Sequence, residues 1–298
     1  MTIERPGVAP SAKMGKLIGV QGSLPQTADP QEAQVCDLME VLFDRYGIDF
    51  RSYSLPSLKR RVLKHLKDEK LESIPELQAQ VQEDAAITSR LLRAITIHVT
   101  AMFRDPNFFI TFRNQAIPLL RTYPYLRFWV AGCSSGEEVY SLAILLEEEG
   151  LYDRSRIYAT DISDRVLDAA RAGIFPLAQM QDYTQNYQRA GGHRAFAEYY
   201  TADNDHAIFR SSLHRNIVFA SHNLAVDSFF NEFHVVFCRN VMIYFNRALQ
   251  DRVHDLFFNS LLTFGYLGLG RSESTRFTKY ERNYEQVQLG EKLFRKIP

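Results

Sequence analysis

The chain has 298 residues, about twice the size of an ordinary domain, so it has ample length for a core and room for two domains. At 46% hydrophobic and 23% charged it is too apolar to be disordered, and 35 Lys+Arg balance 35 Asp+Glu. A zero net charge removes the whole-chain field that would gather nucleic acid or an anionic membrane surface. Cys36, Cys133 and Cys238 are too scattered for a disulfide framework or a paired-cysteine zinc site. The eight histidines show no H-x-x-x-H or H-E-x-x-H spacing, so no metal is expected. Nothing after Met1 resembles a secretory signal, and no apolar run reaches the roughly 18–20 residues of a span. The expectation is a cytoplasmic chain with no nucleic-acid partner and no membrane insertion.

Residues 1–31 carry Pro6, Pro10, Pro25 and Pro30 with no apolar period and read as a flexible leader. Val35, Leu38, Met39, Leu42 and Phe43 fall on one helical face, and Leu58, Val62 and Leu66 repeat the pattern. Ser73-Ile74-Pro75-Glu76 is a capping-box start, and residues 91–97 form another apolar helical stretch. An all-α N-terminal domain is therefore expected over 32–105. From Leu126 the texture becomes alternating: strand 126–131, helix 137–149, strand 157–161, helix 166–172 closed by Gly173. Strands 216–220 and 234–238, a helix 249–264 ended by Gly265, and strand 266–269 follow. This alternation predicts an α/β domain over 106–298, a doubly wound and mostly parallel sheet. The tail around Gly290 predicts an antiparallel C-terminal hairpin. Residues 176–215 break the alternation and read as a small inserted β-subdomain, with short strands around 196–200 and 207–210.

A glycine turn, Gly132-Cys133-Ser134-Ser135-Gly136, joins the first strand to its helix and lets a ligand approach the backbone. That helix opens with Glu137 and Glu138, which repel a pyrophosphate but suit a cationic or hydroxyl-rich ligand. Asp161 ends the second strand 161 − 136 = 25 residues beyond Gly136, near the about 20-residue spacing at which an acid holds ribose hydroxyls. A nucleoside carrying positive charge and no phosphate fits this description, as S-adenosylmethionine does. Dipole-favoured carboxylates and a routine strand-end Asp are the bland alternative. The turn also matches G-x-S-x-G with Ser134, but it follows the first strand of its sheet and no HGGG-type segment is visible.

The segment Thr96-Ile97-His98-Val99-Thr100-Ala101-Met102-Phe103-Arg104-Asp105 resembles the T-x-N-x-T-x-F-F-R-[ED] block of the chemotaxis receptor methyltransferases, the CheR family. The glycine turn, Ala159-Thr160-Asp161-Ile162, His222-Asn223-Leu224, Phe237-Cys238-Arg239-Asn240-Val241-Met242-Ile243-Tyr244 and Leu269-Gly270-Arg271-Ser272-Glu273-Ser274 resemble its further blocks, in family order. The resemblance implies a Rossmann-like methyltransferase fold and methyl transfer from S-adenosylmethionine to glutamate side chains of chemoreceptors, leaving S-adenosylhomocysteine. It places Asp161 on the ribose hydroxyls, and Glu138, Arg104 and Thr100 around the methionine end. Asn223 and Leu224 would border the adenosine, Arg239, Asn240 and Val241 the sulfonium side, and Tyr244 the methyl. His98 stands where the family usually has Asn, and imidazole can both donate and accept there.

Attack of a carboxylate on a sulfonium methyl neutralises opposite charges and needs no general base, since glutamate is ionised at neutral pH. The task left to the protein is alignment, with Arg104 and Tyr244 as the catalytic candidates. On the second predicted helix Arg60, Lys64 and Lys67 recur at i, i+4 and i+7, with Lys59 and Arg61 beside them, opposite Leu58, Val62 and Leu66. The stripe reads either as a solvated face or, given the resemblance, as a docking surface for acidic receptor methylation helices; a receptor tail peptide could in turn add to the insertion. A methyltransferase acting on another protein or a small molecule, and a cofactor-binding module without catalysis, remain open alternatives.

Overall fold

The computed structural model describes residues 29–46, 49–95 and 100–298. Four helices come first: α1 (Pro30–Tyr46), α2 (Leu55–Glu69), α3 (Ile74–Glu83) and α4 (Ala85–Ile95). Pro30, expected in the leader, is instead the first residue of α1, where its missing N–H costs nothing. Ser73 caps α3, its Oγ accepting the Glu76 N–H at 3.3 Å. The apolar faces meet in one core, with Val35, Leu38, Met39 and Leu42 of α1 packed against Leu58 and Val62 of α2 and Leu77 of α3.

The remaining elements build an α/β unit. Helix α5 (Pro106–Thr111), a π turn (Phe112–Ala116) and α6 (Ile117–Leu120) lead to β1 (Leu126–Ala131). Next come α7 (Glu137–Glu148), β2 (Ser155–Asp161), α8 (Asp164–Ala172), β3 (Ile174–Pro176), α9 (Met180–Arg189), β4 (Tyr200–Asp203) and β5 (His206–Phe209). The chain closes with β6 (Ile217–Ser221), β7 (Phe233–Cys238), α10 (Arg247–Ser260), β8 (Leu261–Leu269), β9 (Tyr284–Gln286) and β10 (Leu293–Lys296). The main sheet runs β6-β2-β1-β7-β8-β10-β9, parallel through its first five strands and antiparallel at β10 and β9. The central strands are covered on both faces, so β7 is buried at all six positions, as parallel strands between helical layers must be. Because β2 and β7 flank β1 on opposite sides, the direction of winding reverses at β1. That reversal opens a crevice at the strands' carboxyl ends.

Two local expectations are corrected. The helix predicted over 249–264 stops at Ser260, and Leu261 already pairs with Phe233. Strand pairing there overrides helical continuation, and the register shift beside Phe233, with Phe264 at φ 70°, marks a bulge. Residues 196–199 form a 3₁₀ turn rather than a strand, and a second sheet, β3-β5-β4, spans Ile174 to Phe209. Its helix α9 escaped sequence reading, although Met180, Tyr183 and Tyr187 lie on one buried face. Glu148 of α7 ties this excursion down, accepting the Tyr199 hydroxyl at 3.0 Å and the His193 N–H at 2.9 Å.

The helical unit joins the α/β unit through main chain. Tyr53 and Phe245 form an antiparallel bridge, the Ser54 N–H donates to Tyr244 O at 2.8 Å, and the Asn246 N–H donates to Ser52 O at 2.9 Å. No helix among the described residues is long and apolar enough to cross a membrane.

Candidate active site

The crevice encloses about 1030 Å³, counting the open space at its mouth, and is walled by the loops that follow β1, β2, β6 and β7. Its floor is the glycine turn. Gly132 has φ 73°, and a Cβ there would sit 2.5 Å from Val241 Cγ2, so only glycine lets the two loops meet. Gly136 caps α7 at φ 98°, with Ala170 3.0 Å from where its Cβ would be. The turn brings the Ser134 N–H to Asp161 Oδ2 at 2.9 Å, and the Ser163 N–H reaches Oδ1 at 3.1 Å. Asp161 is thus fixed at the end of β2 with lone pairs left over, since each carboxylate oxygen accepts more than one donor. The G-x-S-x-G pattern accordingly serves to hold an acid.

Arg239, buried and expected on the sulfonium side, is committed to carboxylates: Nη1 donates to Glu138 Oε2 at 2.6 Å, and Nη2 to Asp105 Oδ2 at 3.0 Å and Arg104 O at 2.9 Å. Its guanidinium lies 4.3 Å from the Phe108 ring centre. Burial pushes the Glu138 carboxyl up, and Arg239 pulls against that shift. The charge of Arg239 is therefore balanced by two carboxylates where it meets the crevice. Thr100, Arg104, Asn240, Val241 and Tyr244 also line the crevice, as do Asn223 and Leu224 after β6. Asn223 shapes its own loop: its N–H donates to Asp227 Oδ2 at 2.7 Å and its Oδ1 accepts the Ala225 N–H at 2.9 Å. His98 lies outside the described residues. Burial raises the Cys133 and Cys238 thiols well above the usual range, which removes them as nucleophiles.

The basic stripe divides. Arg60, Lys64 and Lys67 are exposed on the outer face of α2. Arg61 is a correction: it is 6% exposed and lines the crevice, with its guanidinium carbon 4.2 Å from the Tyr244 ring centre and Nη1 donating to Ile95 O. It follows Leu58 by three residues and precedes His65 by four, which places it on the helix's buried face. Its Nε and Nη2 have no hydrogen-bond partner among the described residues. Tyr53 also lines the crevice and was missed, because it precedes α2 and belongs to no periodic pattern. It packs edge-on against Phe50 and Phe245, and burial raises its phenol. His222, present in a family block but given no site role, lies edge-on to Trp129 and lines the same crevice.

These residues fit S-adenosylmethionine. Asp161 offers carboxylate lone pairs for hydroxyls, Asn240 Oδ1 is a buried acceptor without a partner among the described residues, and the glycine turn admits a ligand close to the backbone. Residues 98–291 match the CheR methyltransferase SAM-binding domain, and residues 34–96 the CheR all-alpha domain. The protein Cher3 of Pseudomonas putida is 49% identical over 87% of this chain and 95% of its own length. A chemotaxis protein methyltransferase of Listeria innocua is 32% identical over 76% of this chain and 84% of its own. One from Salmonella typhimurium is 28% identical over 83% and 84%. A strand-end acid, a glycine turn and a crevice at the sheet's switch point thus agree with the similarities: the chain belongs to the CheR family of S-adenosylmethionine-dependent chemotaxis methyltransferases.

Proposed function

We propose that the protein methylates glutamate side-chain carboxylates of bacterial chemoreceptors, forming glutamyl methyl esters in the cytoplasm. The observation that carries this reading is one crevice lined by both Asp161 and a cationic, aromatic group of Arg61, Arg104 and Tyr244. When bound, S-adenosylmethionine supplies a methyl group made electrophilic by its sulfonium. Asp161 accepts the ribose hydroxyls, and the Glu138–Arg239 pair beside the site sets no net positive charge against the sulfonium. Arg61 and Arg104 draw the acceptor carboxylate into the crevice, and Tyr244, under Arg61, limits where that carboxylate can stand. None of these residues has to take a proton, because the acceptor arrives ionised. Their work is alignment and exclusion of water. The exposed Arg60, Lys64 and Lys67 dock the acidic methylation helices, and the β3-β5-β4 sheet takes a receptor tail peptide along an edge.

The test is incubation of the full chain with methyl-labelled S-adenosylmethionine and receptor-containing membranes. Label that enters receptor and is released by base is expected. Tight binding of S-adenosylhomocysteine without transfer to receptor would overturn the reading.

A further inference from the structure

Glu273 lies behind the crevice, outside its lining, and is 5% exposed. Its carboxylate accepts four backbone N–H groups. Oε1 takes those of Val241 at 2.9 Å and Ile243 at 3.3 Å, and Oε2 those of Asn240 at 3.0 Å and Gly270 at 2.6 Å. Three of these donors belong to the loop after β7, the loop that carries Asn240 and Val241 into the crevice and continues into the turn holding Tyr244. The fourth follows β8, the parallel neighbour of β7. One side chain therefore clamps the carboxyl ends of two adjacent strands. The clamped loop is strained at Asn240, which holds φ 61°, a left-handed conformation that persists where surroundings impose it. Four donors on two oxygens suit an anion. Burial raises the Glu273 carboxyl while the four N–H groups pull it down.

We propose that Glu273 is a positioning residue of the methyl-transfer reaction, its carboxylate holding the Asn240–Ile243 loop where Asn240, Val241 and Tyr244 meet S-adenosylmethionine. The inference rests on the crevice binding that molecule and not on the identity of the acceptor. Glu273→Gln keeps the shape but turns an NH2 group towards N–H donors.

The experiment is calorimetric titration of the full chain with S-adenosylhomocysteine, well below each variant's melting point. Affinity in E273Q is expected to fall about tenfold. In the methylation assay kcat should fall and the KM for S-adenosylmethionine rise, with the KM for acceptor unchanged. A purely stabilising role would lower the melting point and leave the affinity of the folded protein where it was. A folded E273Q that binds within about twofold of the parent overturns the proposal. If E273Q does not fold, Gly270→Ala decides, since its Cβ would lie 2.7 Å from Asn240 N and 2.8 Å from Glu273 Oε2. Loss of affinity there supports the clamp, and unchanged affinity overturns it. Should the unaltered chain bind S-adenosylhomocysteine yet methylate no receptor, the receptor reading fails and the clamp is still judged by the titrations.

Discussion

The helical unit and the α/β unit contribute to one crevice in unequal ways. Helices α1–α4 have a core of their own, and side chains at Tyr53 and Arg61 carry that unit into the crevice. Most of the remaining lining sits on loops at the carboxyl ends of β1, β2, β6 and β7. The difference separates two tasks. Strand-end loops are fixed by a sheet buried on both faces and give the constant geometry a small cofactor needs. A helix with a separate core adds the Arg61 guanidinium to the same crevice.

The sharpest way to break this division is Asp161→Ala. Loss of a carboxylate that two backbone N–H groups hold in place should weaken S-adenosylhomocysteine binding about 100-fold. Affinity within threefold of the parent would move the cofactor's anchor elsewhere. Next in size is Arg61→Ala, which should lower methyl transfer about tenfold while leaving S-adenosylhomocysteine affinity nearly unchanged. If affinity and turnover fall together, the helical unit serves the cofactor and the comparison fails. Smallest is the reversal of Arg60, Lys64 and Lys67 to Glu, which should raise the KM for receptor about fivefold and weaken its salt dependence. An unchanged KM would make the stripe a solvated face.

Legibility varied with how local the cause was. The α/β alternation, the glycine turn and the Asp161 spacing were plain because each follows from a turn or a period within one βα unit. The end of α10 was not, because a strand partner at Phe233, distant in sequence, decided where the helix stopped. The fate of Arg61 was half legible: the 58, 61, 62, 65, 66 pattern marks a buried face, but charge argued for the outside. Burial won because the face that packs α2 into its own core continues, at Arg61, onto the crevice. Arg239 was recognised as a site residue, but its partners Glu138 and Asp105 lie more than a hundred positions away and meet it only through the fold.

The order of amino acids determined the architecture and the chemical type of the pocket, since hydrophobic periods, glycines and an acid at a strand end act over short stretches of chain. Tertiary structure decided which charges remain available. Arg239 is neutralised by carboxylates, Arg61 is turned inward, and Glu273 is set behind a loop and gathers three of its N–H groups. Those outcomes depend on Coulomb and hydrogen-bond partners brought together from distant segments, and such interactions act only over the few ångströms that folding creates.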